Sequence, residues 1–447
     1  LSAPMRLRFA PSPTGYLHLG NARIALANFL LARRNGGSFL LRLDDTDTAR
    51  NRPEYEAAIE ADLRWLGLSW SALLRQSERL DRYAAAAELL KAAGRLYPCF
   101  ESEEELKAKR ELRLRRGQPP VYDRAMLQLT PAQRAAAEAN GKRPYWRFLL
   151  SGRSVGWDDL VLGPRQVKLP AVSDPVLIRA DGTPLYTFTS VVDDLDLGIT
   201  EVVRGEDHVT NTGIQLDLIE ALGGDPACIG FGHLPLLVGE HGEKLSKRLD
   251  SLTLRGLARD GIEPLAVTSY LARLGTGDDP RPASLDELAQ EFDLRRFGHA
   301  SPRFDGRQLL ALNARVLHGL DYEAVRDRLP PAAPPAFWQA IRGNLEMLAE
   351  ARGWWEVVSG DIIPPVIEGE HEFLATALDL LPPEPWTAET GRAWLDAVKT
   401  ATGRRGKTLF QPLRLALTGE EHGPDLASLL PLMGRERAAA RLRLAAA

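Results

Sequence analysis

Apolar and basic side chains alternate from Met5 to Ala10, the two-residue period of a strand, and Pro11 and Pro13 end it. Asn21 to Arg34 is rich in alanine and leucine and reads as a helix, Gly36-Gly37 turns the chain back, and Phe39 to Leu43 gives a second strand. Strand, helix and strand in that order close into two parallel strands with a right-handed crossover. Ligands of such sheets lie beyond the carboxyl ends of the strands, which is where the loop Ala10 to Gly20 falls. Downstream, EELKAKRELRLRR reads as a charged helix and YWRFLL and WDDL as strands or turns, so this part is expected as an insertion. The sheet pattern then returns. LYTFTSVVDD and ITEVVRGEDH read as strands, followed by a helix over TNTGIQLDLIEALG with Thr210 or Asn211 as its N-cap. Two halves of one nucleotide-type α/β domain thus flank the insertion. Beyond residue 250 the pattern is helical, interrupted at PPAAPP (330–335), PP (364–365) and PPEP (382–385), which mark joints.

Composition adds bounds rather than elements. The chain has 447 residues, more than one ordinary core, and is 44% apolar and 26% charged. It has no apolar run long enough to span a bilayer, so a soluble chain without a membrane partner is expected. The opening LSAPMRLRF has neither the long apolar stretch nor the cleavage pattern of a secretory signal, which predicts a cytoplasmic location. Two cysteines, Cys99 and Cys228, allow no disulfide framework and no four-cysteine metal site. With a net charge of -4, any nucleic-acid surface must be local. Lys107 to Arg124 holds seven basic residues against two acidic, and 401–447 holds eight against four. Taken alone, each reads as a solvated helix face.

Three groups of residues suggest chemistry. His18 precedes Gly20 and a helix start, where an imidazole and free N–H groups would face one anion, although a lone histidine there also suits a structural role. GEKLSKR brings Lys244, Lys247 and Arg248 together behind Gly239 and Gly242, a cationic loop fit for a leaving polyphosphate, or an ordinary surface loop. Arg8, Ser12, Asp44, Tyr186 and Arg204 fall at strand ends or loops facing one crevice. Two guanidiniums and a carboxylate suit a dicarboxylic amino acid, while a salt bridge between Arg8 and Asp44 across adjacent strands is an equal alternative.

Taken together, RFAPSPTGYLHLGNAR, LRLDDTD, LYTFTSVVDD, VVRGEDHVTNT, KLSKR and KTLFQPLRLALTGEEHGPDLASLLPLMGRE resemble bacterial glutamyl-tRNA synthetase, with matches spread from residue 8 to 436. The resemblance implies an α/β Rossmann-type class I synthetase catalytic domain with an α+β insertion, followed by an all-α C-terminal anticodon-binding region. It assigns 1–98 and 186–250 to the two catalytic halves and 99–185 to an insertion for the acceptor end. Residues 251–318 become a helical domain along the stem, and 319–447 a two-part anticodon region. YLHLG stands where the class shows His-Ile-Gly-His, so His18 matches the first histidine and Asn21 replaces the second. KLSKR stands for Lys-Met-Ser-Lys-Ser, making Lys244 and Lys247 catalytic together with His18. ATP would meet Thr14, His18, Gly20, Asn21, Lys244, Leu245, Ser246 and Lys247. Glutamate would meet Arg8, Ala10, Ser12, Asp44, Tyr186, Ser190 and Arg204, with Arg8 on its side chain and Asp44 on its ammonium. Arg404, Arg405 and Lys407 are candidates for tRNA phosphates.

The implied reaction uses Mg-ATP to form glutamyl-adenylate and then charges tRNA-Glu, with tRNA-Gln left open as a second acceptor. A monomer is implied. Some relatives carry zinc in the insertion on Cys-x-Cys and a later Tyr-x-Cys; here Cys99-Phe100-Glu101 and Tyr122-Asp123-Arg124 offer one thiol, so no zinc is expected. Ser190 stands where relatives vary. Glutaminyl-tRNA synthetase shares the catalytic fold but ends in β-barrels, unlike this helical tail. An inactive tRNA-binding paralogue would have no reason to keep Arg8, His18, Asp44, Lys244 and Lys247 together.

Overall fold

A computed structural model describes residues 4–243 and 252–447, and the chain divides into two compact units. One holds Leu1–Gly256 and Thr268–Asp305, the other Leu257–Val267 and Gly306–Ala447.

The first unit opens with β1 (Arg6–Phe9), α1 (Leu19–Arg34), β2 (Ser38–Leu43), α2 (Pro53–Trp65), β3 (Leu73–Arg75) and α3 (Leu80–Ala92). β2 lies between β1 and β3, both parallel to it; the opening pattern predicts the β1–β2 pair, and β3 is an addition to it. The strands are buried on both faces, Leu7, Leu41 and Leu43 having no exposure, the condition that produces apolar runs in parallel sheets. The insertion follows as β4 (Leu96–Cys99), α4 (Glu103–Arg115), α5 (Pro131–Ala139), β5 (Tyr145–Phe148), β6 (Ser154–Asp159), β7 (Gly163–Lys168) and β8 (Val176–Ile178). β4, β5 and β8 form one antiparallel sheet, and β6 with β7 a hairpin. Ser102 caps α4 and exchanges a capping box with Glu105, yet neither α4 nor α5 buries a residue.

The chain then returns through α6 (Tyr186–Asp196), β9 (Glu201–Gly205), α7 (Val209–Ala221) and β10 (Gly230–Leu234). β10 runs parallel to β9, and Thr200 N donates to Arg6 O at 2.9 Å, bringing β9 alongside β1. The strand sequence therefore leaves β1 in both directions. The crevice beyond the carboxyl ends of β1 and β9 is the switch point where such sheets bind ligands.

Two local expectations are corrected. LYTFTSVVDD is not a strand but most of α6: Phe188, Val191 and Val192 recur at helical spacing and are buried together, which outweighs the β-branched composition. Neither Thr210 nor Asn211 caps α7. That helix starts at Val209 behind His208, and Asn211 Nδ2 lies 3.2 Å from His208 Nδ1 instead.

In the second unit the described residues form no strand. Helix Gly306–Gly319 leads into Pro335–Ile341 and Ala351–Ser359, around a core of Leu317, Val325, Phe337, Trp338 and Ile341. Helices His371–Asp379, Ala388–Thr402, Lys407–Thr418, Leu426–Met433 and Arg435–Ala445 enclose Phe373, Trp394, Val398, Leu413 and Leu442. Each fully buried side chain of this size stabilises by about 1.5–3 kcal/mol. The proline clusters at 364–365 and 382–385 fall between helices, and that at 330–335 runs into the first residue of helix Pro335–Ile341.

Candidate active site

The loop leaving β1 is tied to the next strand by Asp44 N, which donates to Pro11 O at 3.0 Å. Ala10 and the exposed Ser12 and Thr14 lie on this loop, and Thr14 N donates to Ser12 O. His18 is extended and serves as the N-cap of α1: Nδ1 accepts from Gly20 N at 3.0 Å, and His18 N donates to Asn21 Oδ1 at 3.3 Å. A side chain at Gly20 would bring Cβ to 2.8 Å from His18 Cε1, so the cap requires glycine. Burial lowers the His18 pKa, and with Nδ1 accepting, the neutral ring carries its proton on Nε2 as a donor. Leu19 N donates to Leu252 O and Leu254 N to Leu17 O, so the His18 loop pairs with the stretch that follows KLSKR. Lys244, Leu245, Ser246 and Lys247, with Arg248, lie outside the described residues.

Below the loop lies a lattice of paired charges. The fully buried Arg42 grips Asp44 through Nε and Nη2 at 2.7 and 3.2 Å and reaches Asp194 Oδ1 at 2.9 Å. Arg8 donates from Nε and Nη2 to the two oxygens of Asp194 at 3.0 and 3.1 Å. Asp193 accepts from Gln76, Arg79 and Tyr83 at 2.8 to 3.1 Å. The direct bridge between Arg8 and Asp44 is therefore not formed; Asp194 and Arg42 come between them. Buried charges persist only when paired, and here every carboxylate has a guanidinium within reach. Burial pushes Asp44 up to about 6 against the pull of Arg42. For Asp194 burial is outweighed by Arg8 and Arg42, which hold it below the usual range. Sequence reasoning missed Arg42, Asp193 and Asp194. The acid pair closing an apolar run, VVDD, was the available signal.

Arg204, at the carboxyl end of β9, is bonded differently. It donates to Tyr186 Oη at 3.0 Å, Thr212 Oγ1 at 2.6 Å and Gln215 Oε1 at 2.7 Å, and Nε lies 3.3 Å from His233 Nε2. Gln215 Nε2 donates to the buried Ser190 Oγ at 2.8 Å, so Tyr186, Ser190 and Arg204 lie in one hydrogen-bonded group. All four acceptors around Arg204 are neutral, and among the described residues it forms no ion pair. Burial lowers its pKa, as does the charge of Arg8 to a smaller extent. The guanidinium nevertheless stays charged at neutral pH. Burial and the Arg204 charge lower His208, whose ring lies 5.4 Å from that of Tyr186, to about 4.

In the insertion, Glu101 accepts from Lys109 Nζ at 2.5 Å and Tyr122 Oη at 2.6 Å, with Cys99 Sγ 3.7 Å from Tyr122 Oη. Burial pushes the Cys99 thiol up to about 11, and a neutral thiol beside an engaged carboxylate is a poor zinc donor set. In the second unit Arg404 is paired with Glu370 and lies over the Phe373 ring at 4.1 Å, whereas Arg405 and Lys407 are exposed.

Residues 4–310 match the family described as tRNA synthetases class I (E and Q), catalytic domain, and residues 367–446 match an anticodon binding domain. A glutamate–tRNA ligase 2 of Granulibacter bethesdensis is 65% identical over 441 residues, covering 98% of both chains. One of Acidiphilium cryptum is 65% identical over 99% of this chain and 100% of its own. Among solved structures, a glutamate tRNA ligase from Elizabethkingia meningosepticum in complex with its amino acid superposes with a TM-score of 0.86 at 27% identity, covering 99% of both chains. No helix among the described residues is long and apolar enough to cross a membrane.

Proposed function

The chain belongs to the class I tRNA synthetases of the E and Q type, and from that premise we propose that it is a glutamate–tRNA ligase. The carboxylate of glutamate attacks the α-phosphorus of Mg-ATP, giving glutamyl-adenylate and releasing pyrophosphate. The terminal ribose hydroxyl of tRNA then attacks the acyl carbon, forming the ester and releasing AMP.

The observation that carries this reading is the charge on Arg204, which no carboxylate among the described residues contacts and which Asp194 offsets only from beyond contact. A buried guanidinium with only neutral acceptors keeps its charge for a ligand, and leaving it unpaired costs several kcal/mol. The side-chain carboxylate of glutamate relieves that cost; the carboxamide of glutamine does not. Arg8 keeps its Nη1 edge for the same anion, and Asp44 takes the ammonium beside Arg42. His18 offers Nε2–H to the phosphates, next to the first turn of α1, whose dipole favours anions. Lys244 and Lys247 supply charge for the departing pyrophosphate, and Thr14, Gly20, Asn21, Leu245 and Ser246 complete the nucleotide cradle. The enzyme contributes position and fixed charge rather than a covalent intermediate.

The test is glutamate transfer, with ATP and magnesium, onto purified tRNA-Glu and tRNA-Gln in separate tubes. Charging of tRNA-Glu alone identifies a discriminating ligase. Charging of tRNA-Gln as well, or instead, leaves the activity in place and adds the need for an enzyme that amidates the product. Charging of neither overturns the reading.

A further inference from the structure

Behind Arg204 lies a second layer that the ligase chemistry does not itself require. Asp159, at the end of β6, accepts backbone N–H groups from Val161, Leu162 and His233 at 2.9 to 3.0 Å and the indole N–H of Trp157 at 3.2 Å. Its Oδ2 also faces Nδ1 of His233, a side chain with no exposure. A carboxylate that accepts from so many donors stays ionised, so the proton between it and the ring sits on Nδ1, leaving Nε2 as a lone pair. Thr212 Oγ1 lies 2.8 Å from that lone pair. Having accepted from Arg204 at 2.6 Å, the hydroxyl gives its one proton to His233 rather than to the carbonyl of His208 at 3.3 Å. Arg204 Nε approaches the same nitrogen. Among the described residues every acceptor in hydrogen-bond contact with Arg204 is neutral; Asp194 acts on it only from beyond contact, and Asp159 stands behind the imidazole.

We propose that His233 is a positioning residue for the amino-acid site. Its Nε2 lone pair, fixed by Asp159, orients Arg204 directly and through Thr212 without cancelling the guanidinium's charge, and the preference for a carboxylate over a carboxamide substrate depends on it. The proposal rests on the glutamate-ligase reading. A ring in the other tautomer would present N–H to N–H and turn Arg204 away. An acid at position 233 would orient it but neutralise it.

Two substitutions separate the two edges of the ring. His233→Gln offers an oxygen near the Nε2 position and loses the donor to Asp159; His233→Asn keeps a donor near Nδ1 and loses the acceptor. The assay is glutamate-dependent ATP–pyrophosphate exchange with tRNA present, and with glutamine as the competing amino acid. In the Asn variant the KM for glutamate is expected to rise about 10- to 100-fold, the range for one hydrogen bond to a charged group, with the KM for ATP unchanged and glutamate preference reduced by the same factor. The Gln variant, which keeps an acceptor for Arg204 and Thr212 but not the contact that fixes it, is expected to lose less than the Asn variant. Should His233→Asn fail to fold, Thr212→Val, which leaves the Asp159 contact intact, must raise the glutamate KM in the same way. Loss in the Gln variant with retention in Asn would make the Asp159 contact a structural strut and overturn the proposal, as would an unchanged glutamate KM in Thr212→Val or an equal loss in ATP and glutamate KM. If wild type activates no glutamate, the ligase reading falls first, a result distinct from any of these.

Discussion

Asp62 sits on α2 with 5% exposure, one carboxylate oxygen without a hydrogen-bond partner, and Arg255 Nε no closer than 3.9 Å to the other. Burial pushes its pKa up to about 6 against Arg255. The folded state therefore holds this proton more tightly than the unfolded chain does. The buried charge costs stability above pH 6, and the cost is relieved as pH falls through that value. His208 has the opposite sign: lowered to about 4 in the fold, it lets the unfolded chain take up a proton first, so stability is lost as pH falls below the ordinary histidine range. The wild-type curve sums both effects, so single variants must separate them. Asp62→Asn is expected to raise the unfolding midpoint at pH 8 by a few degrees, on the order of 2–4 °C per kcal/mol, with the gain shrinking toward pH 5. His208→Gln should improve relative to wild type over the same descent. Thermal unfolding at pH 8, 7, 6 and 5 reads both, and parallel curves for all three proteins would refute the assignments. Side chains of this kind were invisible in the sequence, because their pairing depends on distant partners. Arg8, Asp44, Tyr186, Ser190 and Arg204 could be named from motifs, but Asp194 lies 186 residues from Arg8, and His233 lies 74 from Asp159.

At the level of elements, α7 carries Thr212 and Gln215, both of which hold Arg204, and it packs against β7 through Gly213. Glycine inside a helix costs about 0.5–1 kcal/mol relative to alanine, so its presence there needs a reason. A Cβ at Gly213 would lie 2.5 Å from Cβ of Val167, too close for the helix to keep its place. Gly213→Ala is therefore expected to destabilise the protein by about 1–3 kcal/mol despite better helix propensity and to raise the KM for glutamate as α7 shifts. Val167→Gly in the same chain, which removes the Cβ that a side chain at 213 would strike, should recover the glutamate KM, and a second-site change without that rescue would refute the packing argument. The parallel β1, α1, β2 unit, the helical tail and its proline joints were readable from periodicity, since each is a local pattern with one burial solution. α6 was not. Its Thr and Val content favours a strand, and only the burial of Phe188, Val191 and Val192 on one face reveals the helical period.

For the molecule as a whole, a net charge of -4 opposes a polyanion, so affinity for tRNA must come from local cations. The three basic residues at 404–407 are not equivalent. Arg404 is committed to Glu370 and Phe373, so replacing it weakens the helical core that it braces. Arg405 and Lys407 are exposed at the N-terminal end of helix Lys407–Thr418, where backbone N–H groups add to an anion's attraction. Each phosphate neutralised by a protein cation contributes about 0.7 to 0.9 to the slope of log affinity against log salt. Arg405→Gln combined with Lys407→Gln should thus flatten that slope by about 1.4 to 1.8 between 50 and 200 mM salt. Glutamate activation at saturating tRNA should stay unchanged, because the residues proposed to form the adenylate belong to the other unit. Arg404→Gln should leave the slope nearly as it was and lower the unfolding midpoint instead. Filter binding across a salt series, beside pyrophosphate exchange on the same preparations, distinguishes the two effects. An unchanged slope in the double variant would remove Arg405 and Lys407 from the tRNA surface and leave the cations of the insertion, Lys107 to Arg124, to account for the salt dependence.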